Sequence, residues 1–278
     1  MKIMMFKMLL TIFVWSHCSF ASDLNLDREV GLILASSYTV GEITSIDEYN
    51  IDSNLANYVV SVIGNAGKRN FLLNNPAHEP LPSIYEGKKI ILLIEKYFNE
   101  SGQDEIQWSP SIGIFDAEGY DDVGVEEEIR AAKRVAVAFL NRNAECPRKI
   151  ESLLSRLDGS HQQEAIDGLF RSLPFKPSEF ACIARAIGSK STLTVGSFRP
   201  PYPSREGVYH HGLRTRGELV AVLLPHMTKY PIYLPSSTLD ERSRKKMIEA
   251  WAYWGSRAYA IGDPIGDAGS GEQGLGQR

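Results

Sequence analysis

The chain has 278 residues, with 30 Lys and Arg against 34 Asp and Glu, and 43% of its residues are apolar. That composition excludes a disordered polyelectrolyte and supplies enough apolar mass for one large packed domain or two small ones. The net charge of −4 hides an asymmetry: residues 22–124 hold six basic and 17 acidic residues, and residues 125–278 hold 22 basic and 17 acidic.

The chain opens with a secretory leader pattern. Lys2 and Lys7 precede or flank an apolar run over 8–15, and Ser19-Phe20-Ala21 offers small residues at the two positions a signal peptidase reads. The run is too short for a permanent span, which needs about 20 residues. Residues 1–21 are therefore expected to leave as a signal peptide, and no second long apolar stretch follows. The expected location is periplasmic or secreted, and a short lysine-bearing leader suits a bacterial host. A lipoprotein alternative would keep Cys18 as an acylated first residue, but the preceding Trp15-Ser16-His17 is bulky for that. If Cys18 leaves, Cys146 and Cys182 remain. An even pair in an oxidising compartment reads as one disulfide, with two buried free thiols as the alternative.

Residues 22–120 read as an acidic β domain. Partial alternation and β-branched residues over 32–46 predict an extended segment. A run over 58–63 precedes a turn at 64–67, and 71–73 extends again. Pro76, Pro80 and Pro82 make a loop. The segment 89–97 is the clearest buried strand, and 106–115 carries one or two short ones. Five or so short strands at this spacing predict a small barrel or sandwich. Two segments, Tyr38-Thr39-Val40-Gly41-Glu42-Ile43 and Tyr85-Glu86-Gly87-Lys88-Lys89-Ile90-Ile91-Leu92-Leu93, resemble the strand openings of OB-type barrels in secreted netrin-like modules. The resemblance covers about a third of the chain and implies a fold, with no functional residues carried over. The animal members usually carry cysteines in this module, and residues 22–144 have none.

A boundary is expected at 119–124, where charge and hydrophobic period change together. Residues 125–260 then read as an irregular α-helical domain. Glu126, Glu127 and Glu128 suit the start of a helix over 125–141, whose Ile129, Ala132, Ala136, Phe139 and Leu140 share a face. Pro147 begins a helix over 148–157. Capping-box spacing at Ser160 to Gln163 opens the next, to Leu173. Another runs 177–187, closed by Gly188. A short apolar helix over 216–224 should end or kink at Pro225. Thr238-Leu239-Asp240-Glu241 opens the last, with Leu239, Met247, Ile248 and Trp251 buried. Short helix pairs of this kind resemble HEAT-like solenoids, although no repeat aligns. Residues 261–278 are Gly-rich, without aromatics, and read as a disordered tail. The whole is an α+β chain, a small N-terminal β-barrel or sandwich followed by an irregular helical domain.

No catalytic or metal pattern stands up to its plain alternative, and no cofactor is implied. His210 and His211 are adjacent, so they point apart. Ser243 and Lys246 have S-x-x-K spacing but lie in a basic run that reads as a solvated helix face. Cys182 sits in an apolar setting, unlike a reactive thiol. Asp116, Glu118, Asp121 and Asp122 lack a calcium-loop spacing and read as a charged linker.

One segment draws attention. Residues 185–216 hold Arg185, Lys190, Arg199, Arg205, Arg214 and Arg216 against Glu206 alone, with Tyr202, Tyr209, His210 and His211 among them. Pro200, Pro201 and Pro203 rule out regular structure at its centre. Long loops in compact domains are often functional, and Arg and Tyr dominate binding hot spots. The candidate binding set is Arg199, Tyr202, Arg205, Tyr209, His210, His211 and Arg214. The plain alternative is a solvated connection complementing the acidic β half. The functional expectation is non-enzymatic binding of a protein or an anionic ligand, of an inhibitor or immunity type. Nucleic acid is a poor partner for an exported chain. The alternatives are a secreted hydrolase using His210 or His211, and a structural envelope component.

Overall fold

The structure, a computed structural model, describes residues 24–35, 37–51, 55–76, 84–95, 105–106, 113–196, 212–230, 232 and 239–261. The expected leader and tail lie outside these residues. Helix α1 (Leu24–Leu34) comes first. Six strands follow: β1 (Ser37–Ile51), β2 (Leu55–Gly64), β3 (Gly67–Pro76), β4 (Lys89–Glu95), β5 (Glu105–Ile106) and β6 (Ile114–Asp116). Then come α2 (Asp122–Arg142), α3 (Arg148–Ser155) with a 3₁₀ turn (Arg156–Asp158), α4 (Gln162–Phe170), α5 (Pro177–Ala186), α6 (Arg216–Thr228) and α7 (Glu241–Ile261). The chain is α+β: one helix, then the sheet, then the remaining helices.

The strands pair in the order β1-β2-β3-β5-β4-β6, and β1 also pairs with β4. All these pairings are antiparallel except β3 with β5, which is parallel and rests on one residue pair, Leu72 with Glu105. Expecting a barrel therefore needs correction. Among the described residues the pairings come round, but the β3–β5 seam is held by one residue pair, which leaves a coiled sheet and no closed barrel. The reason is the length of β5, which offers two residues to partners of seven and ten. The β2–β3 hairpin turns at Asn65 and Ala66, with Gly67 at φ +92°.

Strand β4 has no wet face. Ile90, Leu92 and Ile94 point into the sheet's own core with Ile43, Val60, Val62, Phe71 and Ile114. Ile91 and Leu93 point the other way, against Leu32, Ala35, Val40, Phe115, Ala117 and Val125. The five central side chains of β4, Ile90 to Ile94, are fully buried, and Lys89 at its start is exposed. A strand covered on both faces needs a continuous apolar run, which is what its sequence supplies.

The second face is covered by α1 and the start of α2. Sequence pattern alone gives 32–46 as one extended piece, whereas the first three of those residues close α1 and β1 starts only at Ser37. The missed helix is amphipathic: Leu26, Val30 and Ile33 fall at helical spacing and join the helical core, while Leu32 and Ala35 serve the sheet. Its polar residues are engaged too. Arg28 donates to Glu128 Oε1 (3.0 and 2.8 Å) and to Tyr120 OH (2.9 Å). Tyr253 OH donates to Glu29, and Tyr230 OH to Asp27 Oδ1 at 2.7 Å. Lys246 Nζ donates to the carbonyls of Leu34 (3.3 Å) and Ala35, capping the end of α1. The basic run 242–246 is thus not a uniformly solvated face. Arg242 and Lys245 are exposed, while Arg244 and Lys246 turn inward.

The helical core centres on Phe180, Trp251 and Trp254, whose rings lie 5.6–6.4 Å apart, with Tyr230 stacked on Trp254 at 5.3 Å. Two helix boundaries differ from expectation. Helix α6 runs through Pro225 to Thr228, because Pro225 is buried among helical neighbours and packing outweighs the one lost hydrogen bond. Helix α4 is capped at His161, with no side-chain cap and no box from Ser160.

Cys146 and Cys182 form a disulfide, Cα atoms 5.1 Å apart, joining the approach to α3 with α5. Arg185, one turn beyond Cys182, donates to the carbonyls of Leu140, Asn143 and Ala144 at the end of α2. One joint is therefore held covalently and by a guanidinium.

Two outcomes are expected from this packing. Alanine at Ile91 and alanine at Leu92 should each cost about 2–5 kcal/mol in denaturant unfolding. A strand with one wet face would lose stability at only one of the two. Replacing Cys146 and Cys182 together by Ser should cost about 4 kcal/mol, the chain-entropy value for a loop of 36 residues. Thermal and urea unfolding with and without reductant measure it.

Candidate functional site

Of the candidate set, Arg214 is the member within the described residues. Arg199, Tyr202, Arg205, Tyr209, His210 and His211 lie outside them. What the structure builds is the root on which that segment stands.

The two stems, 191–196 and 212–216, run side by side. Arg216 N donates to Ser191 O (2.9 Å), Leu193 N to Arg214 O (3.0 Å) and Leu213 N to Gly196 O (3.1 Å), and Thr192 bridges Thr215. The stems nearly touch at Gly196, where a Cβ would fall 2.5 Å from Leu213 O. Asp158 fastens them from below. Its carbonyl accepts from Thr194 N (3.1 Å) and Thr194 Oγ1 (2.6 Å). Its carboxylate takes both arms of the Arg216 guanidinium, Oδ1 from Nε at 2.6 Å. Fork-on-fork pairing of this kind fixes orientation as well as charge. Bound by Asp158, the Arg216 guanidinium is held above the usual arginine range, its hydrogen bond outweighing the effect of burial. Gln162 Nε2 adds a bond to Val195 O (2.9 Å).

Beneath the stems is a buried charge network. Glu218 is 2% exposed and Arg244 is 6% exposed. Glu218 Oε2 accepts from Arg214 N (2.7 Å) and Thr215 N (3.0 Å), and Oε1 from Leu239 N (3.3 Å). Arg244 donates to Leu239 O (3.1 Å), Ile187 O (3.0 Å), Ser189 O (2.8 Å) and Thr215 Oγ1 (2.9 Å). The two charges lie 3.7 Å apart. Nearly every donor and acceptor is used, the condition under which a buried pair is tolerated. The network ties the end of α5, the start of α6 and the start of α7. Gly217 makes room for it: a Cβ there would fall 2.1 Å from Ile187 O and 2.2 Å from an Arg244 nitrogen.

The basic residues of 185–216 thus divide. Arg185 and Arg216 are committed to structure, and burial lowers the Arg185 guanidinium from its ordinary range. Lys190 makes an exposed ion pair with Glu241 (3.4 Å), a contact of small value. Arg214 is exposed, with its backbone held on both sides. Sequence reading passes over Asp158, Glu218 and Arg244. One signal was available: Thr215 and Glu218 have capping-box spacing, and the box forms, with Glu218 N donating to Thr215 Oγ1 at 3.3 Å.

Chemically the root is a scaffold. Thr215 Oγ1 accepts from both Glu218 N and Arg244. The two residues at S-x-x-K spacing have structural roles: Lys246 Nζ donates to the carbonyl that closes α1, and Ser243 N donates to Asp240 Oδ1 at 2.6 Å. That bond first, and the nearby cations after it, hold the Asp240 carboxyl below its usual range. Among the described residues no group of three or more His, Cys, Asp or Glu could hold a metal, and no helix is long and apolar enough to cross a membrane. No protein-family model matches the chain, and neither a curated protein nor a solved structure matches it.

Glu218→Ala should cost about 3–5 kcal/mol, because it leaves Arg244 buried without its counter-charge and three N–H groups without an acceptor. Thr215→Ala, which removes a cap and one acceptor, should cost about 1–2 kcal/mol. Urea midpoints of the two variants measure the order, and equal losses would contradict the network as described.

Proposed function

We propose that this chain is an exported, non-enzymatic binding protein that recognises a protein or an anionic ligand through the 196–216 loop. Arg199, Tyr202, Arg205, Tyr209, His210, His211 and Arg214 would supply the contact. One observation carries the reading. The stems at the loop's two ends are fixed by the Asp158–Arg216 pair and by the Glu218–Arg244 network. Binding loops are commonly presented from rigid supports in this way, since a pre-ordered root lowers the entropy cost of association. Arg214, exposed at the root, marks where the positive charge of the loop begins.

The disulfide suits an oxidising compartment, either periplasmic or extracellular. An inhibitor or immunity role against a secreted enzyme or toxin fits a charged loop on a cross-linked scaffold. The test is capture of a partner from the envelope and medium of the producing cell by the purified chain. Changing Arg199, Tyr202 and Arg205 together to Ala should reduce capture at least tenfold while leaving the melting temperature within about 1 °C. Undiminished capture by that variant overturns the loop assignment.

A further inference from the structure

Helix α2 has two unlike sides. Val125, Ala132, Ala136 and Phe139 turn inward and are buried. On the opposite side Val123, Glu127, Arg130, Ala131 and Arg134 are exposed, and Ala138 is half-buried. At 3.6 residues per turn these six fall within about 100° of one another, so they form one stripe along the outside of the helix. Its central residues line an open recess of about 450 Å³. Val123, at one end of the stripe, is 63% exposed, an apolar side chain left in water.

The charges of the stripe are not used by the fold. Among the described residues neither Glu127 nor Arg134 makes a hydrogen bond or an ion pair. Seven positions separate them, about 10.5 Å along the axis, too far for the two to meet within one helix. Arg130 lies one turn from Glu127, but its Nε donates to Glu126 O at 3.2 Å instead. A carboxylate and a guanidinium therefore stand on one face, each without its complement.

A second copy of the same face supplies that complement. Laid antiparallel about the point between Arg130 and Ala131, it sets Arg134 opposite Glu127, Glu127 opposite Arg134, Ala138 opposite Val123 and Ala131 opposite Arg130. Each carboxylate meets a guanidinium, each exposed valine meets an alanine, and each Arg130 stem faces a residue small enough to admit it. A parallel pairing in register would set like charges together. The stripe is thus self-complementary only under reversal, the property that an isologous contact requires. We propose that two copies of this chain associate through the outer face of α2, antiparallel, with two reciprocal Glu127–Arg134 ion pairs. One helix from each copy makes a small and largely polar contact, so the dimer is weak and sensitive to salt. None of these residues belongs to the 196–216 loop, and the inference stands apart from the binding reading.

Analytical ultracentrifugation of the purified chain in low salt tests this, at roughly 1 μM to 1 mM, the range of weak contacts. The chain should pass from monomer to dimer across that range. Glu127→Arg alone and Arg134→Glu alone should each weaken dimerisation at least tenfold. Both positions are exposed and lie beyond the first turn of α2 and short of its last, so melting should stay within about 2 °C. Mixed in equal amounts, the two variants should dimerise again, because Arg at 127 of one copy then meets Glu at 134 of the other and the remaining native pair is intact. A chain that stays monomeric throughout, a dimer indifferent to both reversals, or a mixture no better than its components each overturns the proposal. Should either reversal fail to fold, Ala131→Arg takes its place: it sets a second guanidinium against Arg130 and should leave the chain monomeric, and a dimer that survives it refutes the site.

Discussion

A strand with apolar side chains on both faces has to be covered twice, and β4 imposes that demand on the rest of the molecule. Ile90, Leu92 and Ile94 require a sheet that coils back over itself. Ile91 and Leu93 require something else on the outside. The chain meets the second demand with its first helix and with the start of α2, elements that lie on opposite sides of the sheet in sequence. Each fully buried aliphatic of this kind stabilises by about 1.5–3 kcal/mol, and Ile91 and Leu93 are the two that β4 turns toward the helices.

The same arrangement explains why α1 matters beyond its length. An 11-residue helix is marginal alone. Here it is held by Arg28 on Glu128, by tyrosines of two other segments on Asp27 and Glu29, and by Lys246 on its last carbonyls. The helical core therefore closes only when the two extremes of the described chain meet. The Cys146–Cys182 bridge and Arg185 secure the opposite side of that core, where α2 ends against α5. The Glu218–Arg244 network lies under the stems 191–196 and 212–216, its charges supplied by α6 and α7 and not by the segments the cross-link joins.

Much of the helical half was legible because its signals are local. The glutamates at 126–128 and the proline at 147 each mark a helix start within a few residues, and in the sheet half the apolar run at 89–97 marks a buried strand. The disulfide was legible by counting, once Cys18 was assigned to the leader. Other features were hidden for physical reasons. Helix α1 divides its apolar residues between two cores, which blurs its period. Helix α6 continues through Pro225 because burial outweighs one missing hydrogen bond. Arg244 and Lys246 look like Arg242 and Lys245 in a basic run, and only the partners around them separate buried from exposed.

Taken by itself, the amino-acid order determined the α+β division and the buried apolar strand, and it made Cys146 with Cys182 the expected bridge once Cys18 is set aside. These follow from composition, local periodicity and residue count, which do not depend on distant neighbours. Tertiary structure alone decided that one described residue pair holds the β3–β5 seam, that α1 bridges sheet and helices, and that Asp158, Glu218 and Arg244 fasten the stems 191–196 and 212–216. A buried charge is tolerated only where partners from several segments converge on it, and that convergence exists only in the folded chain.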